Sequence, residues 1–191
     1  MNRQEVKGTL LVLILIASAL APASVPVLRK SPEFIIYESS GKTTLLSSLI
    51  RGKVVVIEFM FVSSPHCLRL AQLLNKIQGD MGSRGFQPVG VVFDPPHSAN
   101  AGVQSTASLV DYFKLTYPVG YSAKADVDSY LGRTGNEILN IPQIVVIDRS
   151  GMIRATSGGA GGDPKLEDEN SLRGLIDHLL NESQAAASPK E

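Results

Sequence analysis

Residues 53–70 read KVVVIEFMFVSSPHCLRL. The first ten, Lys53–Val62, form a near-continuous apolar run rich in β-branched side chains, the pattern of a strand buried on both faces of a parallel sheet. Pro65 to about Met81 then switches to helical spacing, with Leu68, Leu70, Leu73, Leu74 and Ile77 on one side. Ser64 fits the N-cap of that helix and Pro65 its first position, where a missing N–H is harmless. Cys67 therefore lies in the first helical turn, near the positive end of the helix dipole, a setting that favours a thiolate.

Working outward, Glu33–Tyr37 and Lys42–Leu45 read as short strands around the turn Ser39-Ser40-Gly41. Downstream come a strand at Phe86–Phe93, a helix at Ser105–Lys114, a strand at Tyr117–Gly120 and a helix at Ala125–Leu131. Gln143–Asp148 and Met152–Thr156 form a hairpin across Arg149-Ser150-Gly151, and Ser171–Leu180 is a last amphipathic helix. This alternation predicts one α/β domain with a mixed sheet. Residues 24–32 read as a linker, and 184–191 (QAAASPKE) as a disordered tail.

The chain has 191 residues, 43% of them hydrophobic, enough for one domain with a full core. Eighteen basic and eighteen acidic residues cancel, and there is no basic stripe, so no nucleic-acid partner is expected. A single cysteine excludes an intramolecular disulfide and a multi-cysteine zinc site, but allows a mixed disulfide with a partner. At the N-terminus, Arg3 and Lys7 precede an apolar run from Leu10 to about Leu20, followed by Ala21-Pro22-Ala23. Because the run is shorter than a normal span, residues 1–23 read as an export signal cleaved before Ser24, with a retained N-terminal membrane anchor as the alternative.

Three further matches extend beyond the opening stretch. Asn140-Ile141-Pro142-Gln143-Ile144-Val145-Val146-Ile147-Asp148-Arg149-Ser150-Gly151 resembles the pattern G-x-P-x-x-x-x-I-D-x-x-G. The lead-in GKTTLLSSLIRGKVVVIEF (41–59) and the strand-to-helix stretch Phe59-Met60-Phe61-Val62-Ser63-Ser64-Pro65-His66-Cys67 complete the set. On these motifs, residues 33–183 resemble the thioredoxin-like redoxins of the TlpA/ResA type within the AhpC/TSA superfamily. The resemblance implies a three-layer α/β/α sandwich with a central mixed sheet, and an extracytoplasmic thiol–disulfide oxidoreductase. The family pattern is Phe-Trp-x-x-Trp and then Cys-x-x-Cys; this chain lacks both tryptophans and has Ser64 at the first cysteine.

What the resemblance implies for the site follows position by position. Ser64 holds the place of the exposed nucleophile, and a hydroxyl cannot replace a thiolate in disulfide exchange. Cys67 holds the resolving place. It either forms a mixed disulfide with a protein or small-molecule thiol, or is a buried small hydrophobe. His66, between them, either lowers the thiol pKa or simply faces solvent. Glu58 resembles the buried acid that relays protons to the second cysteine, and a carboxylate in so apolar a run is expected to be pushed toward its neutral form. Pro142 is expected to be cis, placing the backbone of Ile141 beside Pro65 and the site, where an extended peptide can pair with it.

Two readings follow: a monothiol redox protein, or a non-catalytic peptide- or protein-binding module. No cofactor and no metal are expected. A peroxidase lacks support, since the Pro-x-x-x-Thr-x-x-Cys signature is missing. A Sco-like copper carrier would need His97, in Asp94-Pro95-Pro96-His97, to meet Cys67, with one thiol too few for a soft metal. His178 reads as structural or exposed. Gly41-Lys42-Thr43 mimics the end of a phosphate-binding loop, but the first glycine of that motif would fall at Ile36, so a hairpin turn is expected. Gly158-Gly159-Ala160-Gly161-Gly162 reads as a flexible loop, with Asp163-Pro164 starting a helix.

Overall fold

The computed structural model describes residues 29–93, 99–134, 139–158 and 162–187. The leader at 1–23, the first part of the linker and His97 lie outside the described residues. The elements in chain order are β1 (Arg29–Lys30), β2 (Ile35–Glu38), β3 (Thr43–Leu45), α1 (Leu46–Ile50), β4 (Val54–Met60) and α2 (Pro65–Met81). They continue as β5 (Phe86–Val92), α3 (Ala99–Phe113), β6 (Val119–Tyr121), α4 (Lys124–Leu131), β7 (Gln143–Ile147), β8 (Met152–Thr156) and α5 (Glu169–Ala187). Short 3₁₀ turns at Gly82–Arg84 and Pro164–Glu167 follow α2 and precede α5.

The eight strands form one mixed sheet in the order β1-β8-β7-β4-β5-β6-β2-β3. β4 lies inside it, parallel to β5 and antiparallel to β7, and all seven of its residues are buried. Its alternating side chains feed two cores. Val54, Val56 and Met60 pack with α2, α3 and α5; Val55, Ile57 and Phe59 pack with α1 and α4. This is the three-layer α/β/α sandwich of the thioredoxin-like fold. A proline inside a central strand is normally excluded, because it has no N–H for the ladder. Pro88 of β5 is tolerated because β6 joins that strand only from Gly90 onward. The Gly90 N–H points to the β6 side, where it bonds Pro118 O at 3.0 Å. Two residues earlier the same side has no strand to satisfy.

The structure corrects the expected boundaries at both ends. Arg29 and Lys30, assigned to the linker, pair antiparallel with Ile153 and Met152, and the Ser31 N–H continues the contact to Gly151 O at 2.8 Å. The last helix does not stop at Leu180. It runs to Ala187 into the segment read as a disordered tail, where three alanines carry the best intrinsic helix propensity.

Candidate functional site

The site grows from the carboxyl end of β4. Gln143 of β7 pairs with Phe59, so Pro142 stands level with Met60, where β4 gives way to the turn into α2. Sheet register alone therefore brings residues 140–142 and 64–67, about 75 positions apart, to the same end of the sheet. Phe61 and Phe93, from the loops after β4 and β5, stack with centroids 4.7 Å apart and floor this end.

Ser64 is the N-cap of α2: its backbone is extended and its Oγ accepts from the Cys67 N–H at 3.4 Å, with Pro65 following as the first helical residue. His66 and Pro65 are exposed. Cys67, one turn in, points the other way and is 0% exposed, packed in the core with Leu70, Ala71, Leu74 and the α5 residues Leu172 and Ile176. Ser64 is half-buried and Cys67 fully buried, so the hydroxyl lies nearer the surface than the only thiol.

Glu58 sits between Gly90 and Ile144 in the sheet and is 0% exposed. Strand alternation turns it to the same face as Val56, Met60 and the core that holds Cys67. Neither carboxyl oxygen has a hydrogen-bond partner. Burial first, and the nearby Glu167 carboxylate second, push its pKa well above the usual carboxylate range, in favour of the neutral acid. Tyr117 lies within reach of the same group. Burial, then Glu58, push its phenol up, and its hydroxyl donates to Ala71 O at 3.1 Å.

The peptide bond between Ile141 and Pro142 is cis. Pro142 is buried and Ile141 half-buried. Neither the N–H nor the C=O of Ile141 makes a hydrogen bond among the described residues. Two depressions flank the helix start. A cleft of about 280 Å³ sets His66 and Arg69 of α2 against Glu167 and Asp168. A mostly apolar groove of about 660 Å³ lies between Val62, Leu68 and the α3 residues Leu109 and Tyr112. Among the described residues no cluster of three His, Cys, Asp or Glu side chains could hold a metal. His178 is exposed on α5 and pairs with Glu182 at 2.8 Å, remote from the site in sequence and role.

Sequence reasoning missed three side chains that shape this region: Arg69, Glu167 and Gln143. Arg69 and Glu167 carried no signal, since exposed charges are common on helices and turns. Gln143 did carry one, a polar residue opening a buried apolar strand.

No curated protein sequence matches the chain. Among solved structures it is similar to a thioredoxin-family thiol:disulfide interchange protein from Chlorobium tepidum TLS, at 21% identity and TM-score 0.63, covering 80% of this chain and 97% of that one. It is also similar to a thiol:disulfide interchange protein from Bacteroides sp., at 21% identity and TM-score 0.59, covering 78% and 90%. A third is a secreted Mycobacterium tuberculosis disulfide oxidoreductase homologous to Escherichia coli DsbE, at 18% identity and TM-score 0.58, covering 76% and 96%. At these identities the likeness is one of fold. The profile of the AhpC/TSA family matches residues 27–156, a span that holds β4, the Ser64–Cys67 turn and the Ile141–Pro142 bond, and the chain belongs to that family.

Proposed function

We propose that this protein is an extracytoplasmic thioredoxin-fold binding module whose Ser64-x-x-Cys67 site no longer turns over disulfides, and that it holds an extended polypeptide segment against Ile141. The observation that carries the reading is the complete burial of Cys67 under a serine. Disulfide exchange begins with an accessible thiolate, and this site presents a hydroxyl instead. Binding needs only what remains: the unused N–H and C=O of Ile141, which offer strand-like pairing to a partner backbone. Relatives described as thiol:disulfide interchange proteins point to a protein segment as the partner class.

Export is supported by Arg3 and Lys7, the apolar run after them and Ala21-Pro22-Ala23. Among the described residues no helix is long and apolar enough to cross a membrane.

Mixed-disulfide chemistry through Cys67 is the second reading, and Glu58 favours it. A neutral buried acid on the same sheet face could exchange a proton with the thiol. It requires the first turn of α2 to open.

The test is an NMR titration of the full chain with a reduced, carboxymethylated protein, which is extended and has no thiol. The proposal predicts shifts at Asn140, Ile141 and His66, the same affinity in Cys67→Ala, and no catalysis of insulin reduction by dithiothreitol above background. Catalysis that disappears in Cys67→Ala would establish the mixed-disulfide reading instead.

A further inference from the structure

Gly158, just after β8, and the buried Gln143 meet close to the Ile141–Pro142 bond. Gln143 is only 6% exposed, and its Nε2 donates to the backbone O of Asn140. Gln143, the residue that opens β7, thus reaches back past Pro142 to the carbonyl of Asn140, three residues earlier. A Cβ placed on Gly158 would overlap both amide atoms of Gln143. Gly158 is in turn held in place: its O accepts from Thr156 Oγ1 at 3.0 Å, and a Cβ on Gly162 would stand 2.8 Å from its backbone. Ser157, one residue earlier, bonds Ile144 through both Oγ and N–H, at 2.8 and 2.9 Å, locking this backing to β7.

From this arrangement we infer that Gln143, with its amide wedged against Gly158, is a positioning residue that fixes the Asn140 carbonyl and thereby aims the open N–H and C=O of Ile141 at a partner strand. The inference rests on Ile141 being the partner-binding edge. It assigns a role to a buried polar side chain that core packing does not require. It also explains a glycine at 158 in a position where no positive φ demands one. Because the clash at 158 falls on the far end of a flexible side chain, Gly158→Ala should displace the Gln143 amide and leave the strands intact. Gln143→Leu removes the donor at nearly constant volume.

Two measurements test it. The first is the backbone ¹⁵N heteronuclear NOE of the full chain. Asn140 and Ile141 should be rigid in the wild type and lose order in both Gln143→Leu and Gly158→Ala, while Val145 and Val146 stay unchanged. Gly174→Ala, where an added Cβ meets nothing within 4 Å, is the control and should change neither. Unaltered NOE values at Asn140 and Ile141 in both variants would overturn the inference.

The second uses Ser64→Cys, which restores a dithiol. It can pass two electrons and two protons to a disulfide probe, becoming a disulfide while the probe yields two thiols. A cystine-containing peptide can pair with Ile141; hydroxyethyl disulfide cannot. Adding Gln143→Leu should lower the second-order rate constant of this single turnover with the peptide about fivefold, the worth of one lost hydrogen bond, and leave that with the small disulfide unchanged. Equal loss on both probes would mean general damage to the fold and would overturn the positioning role. If Ser64→Cys reduces neither probe, the placement of a partner at Ser64 and Ile141 fails, and the NOE result still decides whether the clamp exists.

Discussion

At the scale of single residues, Glu58 carries a measurable signature. It is a carboxyl with no hydrogen-bond partner inside the core, and burial raises its pKa well above the usual carboxylate range. In the unfolded chain it ionises at its ordinary value, so the folded state binds the extra proton between the two pKa values. The stability this group contributes is full below about 4.3 and falls as pH rises toward the raised folded pKa. Glu58→Gln removes the titration. The stability difference between wild type and variant should therefore be constant below about pH 4 and shift in the variant's favour as pH rises above the ordinary carboxylate range, read from urea midpoints. Parallel curves over that rise would mean the carboxyl is not desolvated as the structure has it. Ser64 gives a second residue-scale prediction: Ser64→Ala removes the N-cap of α2 and should cost about 1 kcal/mol of stability. Ser64→Cys, in contrast, should change the chemistry.

At the scale of elements, the close approach of β2 and β6 depends on Gly120. A Cβ there would overlap Ile36 and come within 2.8 Å of Tyr37 O, so both a buried side chain and backbone resist it. Gly120→Ala should destabilise by about 1–3 kcal/mol and detach the β2–β3 hairpin first, seen as selective loss of amide protection at Ile36 and Tyr37. Gly132→Ala, which meets no atoms but sits at φ 70° as the C-cap of α4, should cost less, and by backbone strain alone.

The elements also show what a sequence can carry. β4 and α2 were legible because their periods are strong and their junction has a proper cap. The helix at 65–81 emerges with the expected bounds. α1 was missed: five residues with no side-chain cap are too short for a periodic signal. β1 was missed because two residues become a strand only by pairing with β8, more than 120 positions away. α3 begins at Ala99, six residues before the expected start.

At the scale of the whole molecule, the account turns on a difference in depth between two neighbours in one turn of helix. The sequence placed Ser64 and Cys67 together but left both fates of the thiol open, because its exposure is set by α2 and α5 closing over the sheet. Those are contacts between residues more than 100 positions apart. The same holds for Gln143 and Gly158, whose meeting is a product of the folded hairpin and whose glycine-rich surroundings read as a plain loop. The family's architecture is intact, Ser64 caps the helix that buries Cys67, and among the described residues the N–H and C=O of Ile141 make no hydrogen bond.

The most direct measurement is the alkylation of Cys67 by iodoacetamide in the native full chain across pH 6–9, with the same reaction in denaturant as the reference. A buried thiol predicts that native labelling is slowed relative to the denatured chain by the small fraction of molecules that are open, with the same rise with pH as an ordinary thiol in both. Rapid labelling of the folded protein, titrating below the ordinary thiol value of about 8.5, would contradict the account and restore Cys67 as a nucleophile.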